Sequence, residues 1–133
     1  MIINKKRSLT TREFKEIMEH TRAGYQILSS IRFPWSEIPL MAKSHHEKLD
    51  GQGYPDGLKG DQISLGAKII CLADAFDAMT SSRPYRKGLG LEAARAEISR
   101  CAGTQFDPHV VDALAAIGQA GLEAIARLET RPL

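Results

Sequence analysis

The chain has 133 residues, 43% hydrophobic and 26% charged, which suits one globular domain with a core of its own. Its 18 basic and 16 acidic residues leave a net charge of +2, too small for bulk electrostatics to hold nucleic acid or a membrane surface. The apolar run at 69–73 is too short to cross a bilayer, and no apolar leader follows Met1. Cys71 and Cys101 lie far apart without CxxC spacing, which predicts reduced, buried thiols in a soluble, cytoplasmic protein.

No strand-like alternation and no internal repeat occur, whereas helical signals recur along the chain. In "SLTTREF" (8–14) Thr10 and Glu13 have the spacing of a capping box, and Leu9 and Phe14 that of a hydrophobic staple. Phe14, Ile17, Met18, Thr21, Tyr25 and Leu28 then form one apolar stripe, with His20 on its flank. "FPWSEIPLMAKSHHEKL" predicts a second helix capped by Ser36, with Pro39 in its first turn and His45 on the inner side. Gly51, Gly53, Pro55, Gly57 and Gly60 end it in a loop. Ser64 caps a third helix, "LGAKIICLADAFDAMTSS", apolar nearly all round and so expected to be central. A break at "SSRPYRKGLG" leads to a helix over about 91–101. Asp107-Pro108 opens another, running to about 118, and "GLEAIARLETRPL" reads as a short terminal helix with a frayed tip. The pattern predicts an all-α fold of about five to six helices.

Candidate chemistry collects on these elements. Asp74 and Asp77 share a face of the third helix, where a buried carboxylate needs a cation or donors. His20, the pair His45/His46 and Asp74 together offer nitrogen and carboxylate ligands suited to iron, manganese, zinc or nickel. Neighbouring histidines on a helix point about 100° apart, so one small ion would not easily take both, whereas two adjacent ions could. A two-metal centre serves in-line attack on a phosphodiester. The plainer readings are a helix-flank histidine bonded to a neighbour, and ion pairs of Asp74 and Asp77 with Arg83, Arg86 or Lys87. Around Tyr85, Arg83, Arg86 and Lys87 could bind phosphate while the tyrosine stacks on a base, or could form an ordinary solvated turn. A glycine-rich loop this long within a compact helical domain is more often functional or mobile.

"HHEKLDGQGYPDGLKGDQISLGAKIICLADAFDAMTSSRPYRKG" and "AGTQFDPHVV", with "LTTREFKEIMEHTRAGYQIL" before them, closely resemble HD-GYP domains. These are bacterial metal-dependent phosphodiesterases of cyclic-di-GMP. The resemblance spans about residues 2–115 of a single domain, leaving 119–133 as a terminal helix or tail. It implies a helical bundle of the HD type, with His20, His45, His46 and Asp74 as metal ligands and Asp77 beside the scissile phosphate. It further implies iron or manganese ahead of zinc or nickel. Arg83 and Arg86 would hold phosphates, with Tyr85 and Lys87 as neighbours. Gly53, Tyr54 and Pro55 would border the substrate, and their loop would contact partners of the diguanylate-cyclase type. Hydrolysis would give pGpG or GMP.

The family's adjacent His-Asp pair would fall before Met1. The expectation is therefore a domain lacking its N-terminal helices, holding one ion and weakened in catalysis, with exposed core that promotes self-association. The alternatives are a non-catalytic cyclic-di-GMP-binding or protein-interaction module, or one half of a split enzyme.

Overall fold

The structure, a computed structural model, describes residues 10–82 and 87–129. These residues form five α-helices and no strand: α1 (Thr11–Ser29), α2 (Ile38–Ser44), α3 (Leu65–Thr80), α4 (Leu91–Arg100) and α5 (Pro108–Glu129), with a 3-10 turn at Gly60–Gln62 between α2 and α3. The all-α expectation holds.

Helix α1 starts where the sequence places it. The Glu13 N–H donates to Thr10 Oγ1 at 3.2 Å, and the Thr10 N–H donates to Glu13 Oε2 at 2.9 Å. Leu9, the other half of the staple, lies outside the described residues. Helix α1 packs on α2, and its stripe is buried at Thr21, whose hydroxyl donates to the Met18 carbonyl at 2.7 Å. Ile17 and Met18 are half-buried, while Phe14 and Tyr25 stay exposed.

Helix α2 is shorter than predicted at both ends. Glu37, not Ser36, occupies its N-cap and makes no side-chain cap bond, although Pro39 does sit in the first turn. The helix stops at Ser44, so His45 and His46 belong to the turn that follows it. Ser64 caps α3 by accepting the Ala67 N–H at 3.2 Å. The central placement expected of α3 is met only in part: Ala67, Cys71 and Leu72 are buried, but Leu65 and Ile69 face outward. A helix of this apolar composition has more greasy surface than its neighbours cover.

Asp107 Oδ1 accepts the His109 N–H at 2.8 Å, so the predicted cap and Pro108 together open α5. Gly118, at φ 74° and ψ 170°, interrupts the helical backbone and separates the helix from its terminal stretch, close to the predicted break. Cys71 is buried and Cys101 half-buried; neither is in a disulfide.

Two compact units divide the chain, Met1–Cys71 and Leu72–Leu133. The first packs α1 on α2 and buries Ile63, Ala67 and Cys71 together with Thr21, Ser44 and Glu47. The second packs α4 on α5 around Ala94, Ile98, Phe106, Val110, Val111 and Leu122. No described helix is long and apolar enough to cross a membrane.

Candidate metal centre

The first unit brings three of the sequence-predicted ligands together. His20 projects from the middle of α1, and His45 and His46 leave the C-terminus of α2. One ring nitrogen from each lies within 4.8 Å of the others. The ring centroids stand 4.0 Å apart for His45 and His46, 5.1 Å for His20 and His46, and 5.9 Å for His20 and His45.

Adjacent histidines diverge by about 100° only on a continuing helix. Because α2 ends at Ser44, that geometric constraint is absent, and both rings turn toward His20. The backbone explains the stop. The Glu47 N–H bonds back to Ser44 O at 3.0 Å, and the Tyr54 N–H reaches His46 O at 3.2 Å, replacing helical hydrogen bonds with loop ones.

Two rings are oriented by the carbonyl three residues earlier. His45 Nδ1 faces Ala42 O at 2.7 Å, and His20 Nδ1 faces Ile17 O. A carbonyl can only accept, so Nδ1 carries the proton and Nε2 keeps its lone pair for a ligand. Metal-binding histidines are commonly fixed this way by a bond from the second ring nitrogen. The His46 ring stacks on Tyr54 at 4.9 Å and 20°. Three histidine nitrogens therefore form a donor set that fits a divalent transition metal.

The loop behind the histidines is tightly tied. Gly60 N–H bonds Leu49 O at 3.0 Å, Gly51 N–H bonds Lys48 O at 2.9 Å, and Asp50 and Lys59 form a bridge. Tyr54 and Pro55, joined by a cis peptide bond, are half-buried, as is Gly53. A Cβ on Gly53 would lie 2.4 Å from both His46 O and Lys48 N, so the backbones can approach this closely only without a side chain.

Sequence reasoning passed over Glu47. It is 2% exposed, and its two oxygens accept the N–H groups of Asp56, at 2.7 Å, and Leu58, at 2.9 Å. The available signal was its position: a carboxylate entering a glycine-rich loop finds backbone amides that no secondary structure has claimed.

The other predicted residues fall on the second unit. Asp74 is exposed on α3, and half-buried Asp77 accepts the Ser81 hydroxyl at 3.2 Å. Lys87 is exposed. Arg83, Tyr85 and Arg86 lie outside the described residues.

The chain is thus an all-α domain whose three clustered histidines, next to a glycine-rich loop, could hold a metal ion. Residues 1–110 match the family model described as HD domain, and the chain belongs to that family, in agreement with its resemblance to HD-GYP domains. It is 42% identical over 125 residues to the cyclic di-GMP phosphodiesterase response regulator RpfG of Xanthomonas campestris, covering 93% of this chain and 33% of that protein. It is 40% identical over 113 residues to 3'3'-cGAMP-specific phosphodiesterase 3 of Vibrio cholerae, covering 85% and 24%. The chain thus spans a third or less of the length of these relatives. The crystal structure of a cyclic GMP-AMP-specific phosphodiesterase from V. cholerae shares the fold, with a TM-score of 0.69 at 23% identity over 94% of this chain and 31% of that one.

Proposed function

We propose that this chain acts in the metal-dependent hydrolysis of a cyclic dinucleotide, with cyclic-di-GMP as substrate and pGpG or GMP as product. The observation that carries the reading is the convergence of His20, His45 and His46, two of them with Nδ1 committed to a carbonyl. The names of relatives that are cyclic-dinucleotide phosphodiesterases supply the substrate class.

When bound, a divalent ion, iron or manganese, would supply Lewis acidity and water activation for phosphodiester hydrolysis. The three histidines would hold it. Asp74 adds a carboxylate ligand and Asp77 lines the site near the scissile phosphate, roles supported by the motif resemblance. Lys87, with Arg83 and Arg86, neutralises phosphate charge, and Tyr85 stacks on a base. Gly53, Tyr54 and Pro55 border the substrate. The outer residues of their loop, Gln52, Asp56, Gly57 and Lys59, are exposed, which suits a protein partner of the diguanylate-cyclase type. Two free cysteines accord with a cytoplasmic setting.

The decisive experiment follows cyclic-di-GMP and 3'3'-cGAMP turnover by the purified chain with excess Mn²⁺ or anaerobic Fe²⁺, beside a His45→Ala/His46→Ala variant. Metal-dependent cleavage that favours cyclic-di-GMP and disappears in the variant is expected. Equal turnover by the two proteins, or none by either, would remove the basis of the proposal.

A further inference from the structure

Glu47 follows His46 directly in sequence, yet both of its oxygens point away from metal chemistry and into the loop. A carboxylate this deeply buried is costly unless donors compensate it. Here the donors are the amides of Asp56 and Leu58, one on each oxygen, and charge-assisted bonds of this kind are about twice as strong as neutral ones. The clamp is reinforced from outside, where Lys43 pairs with the Asp56 carboxylate at 3.2 Å while standing 5.3 Å over the Tyr25 ring of α1.

The clamped segment begins two residues after Tyr54. That tyrosine touches the cluster: its N–H bonds His46 O, its ring stacks on the His46 imidazole, and the same ring meets Phe14 edge-on at 5.6 Å and 78°. His20 and His45 each have a carbonyl to set their ring planes. The Tyr54 ring stacks on that of His46, and Glu47 holds the loop two and four residues beyond the tyrosine.

We propose that Glu47 is a positioning residue, whose buried carboxylate clamps loop 53–58 so that Tyr54 holds the His46 ring in its metal-accepting orientation. The metal half of this statement rests on the function proposed above. The alignment half is independent of it.

The two halves are read separately on the isotope-labelled full chain. Without metal, the His46 ring protons of the unsubstituted protein should be shifted upfield by the Tyr54 ring, and the Asp56 and Leu58 amides should exchange slowly. Glu47→Gln, which keeps the shape but can accept at only one of the two positions, should lose most of both effects. An unchanged His46 shift in Glu47→Gln, or Asp56 and Leu58 amides that already exchange at exposed-loop rates in the unsubstituted chain, would overturn the proposal.

With Co²⁺ as the probe, Glu47→Gln should bind about 10-fold more weakly, the lower end of what outer-shell changes cost. Tyr54→Leu should do the same, and the double variant should be no weaker than the weaker single. Altered loop exchange with unchanged Co²⁺ affinity would make Glu47 merely structural and overturn its positioning role. If Glu47→Gln fails to fold, Tyr54→Leu and the exchange rates of the unsubstituted chain decide the matter. Failure of the unsubstituted chain to bind Co²⁺ would count against the proposed function, while the metal-free measurements would still decide the alignment.

Discussion

His20 and His45 sit on different elements but solve the same problem in the same way, each giving Nδ1 to the carbonyl three residues back. This local geometry leaves Nε2 as the donor on both rings. Replacing any one of His20, His45 or His46 by Ala should therefore weaken Mn²⁺ binding at least tenfold by calorimetric titration, in line with about 1.4 kcal/mol per decade. Equal affinity in all three variants would show that the cluster is not the ion's site. Gly53 offers a second test. Its Cβ would enter the space of His46 O and Lys48 N, so Gly53→Ala should destabilise the chain by roughly 1–3 kcal/mol in denaturant unfolding and weaken metal binding as the loop moves off His46. The residue types at this site were legible in the sequence: tandem histidines, a distant third and a glycine-rich loop. The burial of Glu47 was not, because its partners, Asp56 and Leu58, are donors through their backbones, and backbone donors leave no mark in residue identity.

At the scale of elements, helix starts were easier to read than helix ends. The Thr10–Glu13 box, Ser64 and Asp107-Pro108 are side-chain devices written locally, and all three open the helices they were expected to open. The end of α2 was misplaced because Ile38, Met41, Ala42, His45 and Leu49 keep helical spacing past Ser44. The competing bond that draws the chain away comes from Tyr54, in the following loop. That error carried chemical weight, since a continued helix would have splayed the two histidines apart. Two element-level substitutions should separate stability from function. Thr10→Ala removes the cap of the helix that carries His20 and should cost about 1 kcal/mol, with weaker metal binding as α1 frays. Gly118→Ala places a side chain at φ 74° and ψ 170° in α5, a region open almost only to glycine, and should cost roughly 1–3 kcal/mol. Gly118 is neither a proposed ligand nor a sequence neighbour of one, so metal affinity of the folded chain should hold in the second variant while its melting temperature falls. Differential scanning calorimetry beside metal titration distinguishes the two.

At the scale of the whole molecule, the composition gave no warning of how much apolar surface the first unit leaves uncovered. Hydrophobic residues make up an ordinary 43%, but Tyr25, Ile27, Ile31, Trp35 and Leu40 are exposed within one short stretch of chain, Trp35 by 70%, and so are Leu65 and Ile69 on α3. Tyr25, Ile31, Trp35 and Leu40, with Phe33 and Arg32, also line an open cavity of about 470 Å³. Soluble monomers rarely leave contiguous apolar patches larger than a few hundred Å² uncovered, and burial is worth about 25 cal/mol per Å². A second copy of the chain is the partner present at any concentration, and an isologous contact would cover the same patch on both copies. The expected outcome is concentration-dependent association in sedimentation velocity, reduced by Ile31→Ser combined with Trp35→Ser. Both side chains are exposed and outside the helices, so helical circular dichroism should be unchanged in that variant. A chain that stays monodisperse and monomeric across the concentration range would mean that the patch between Tyr25 and Leu40 does not drive self-association.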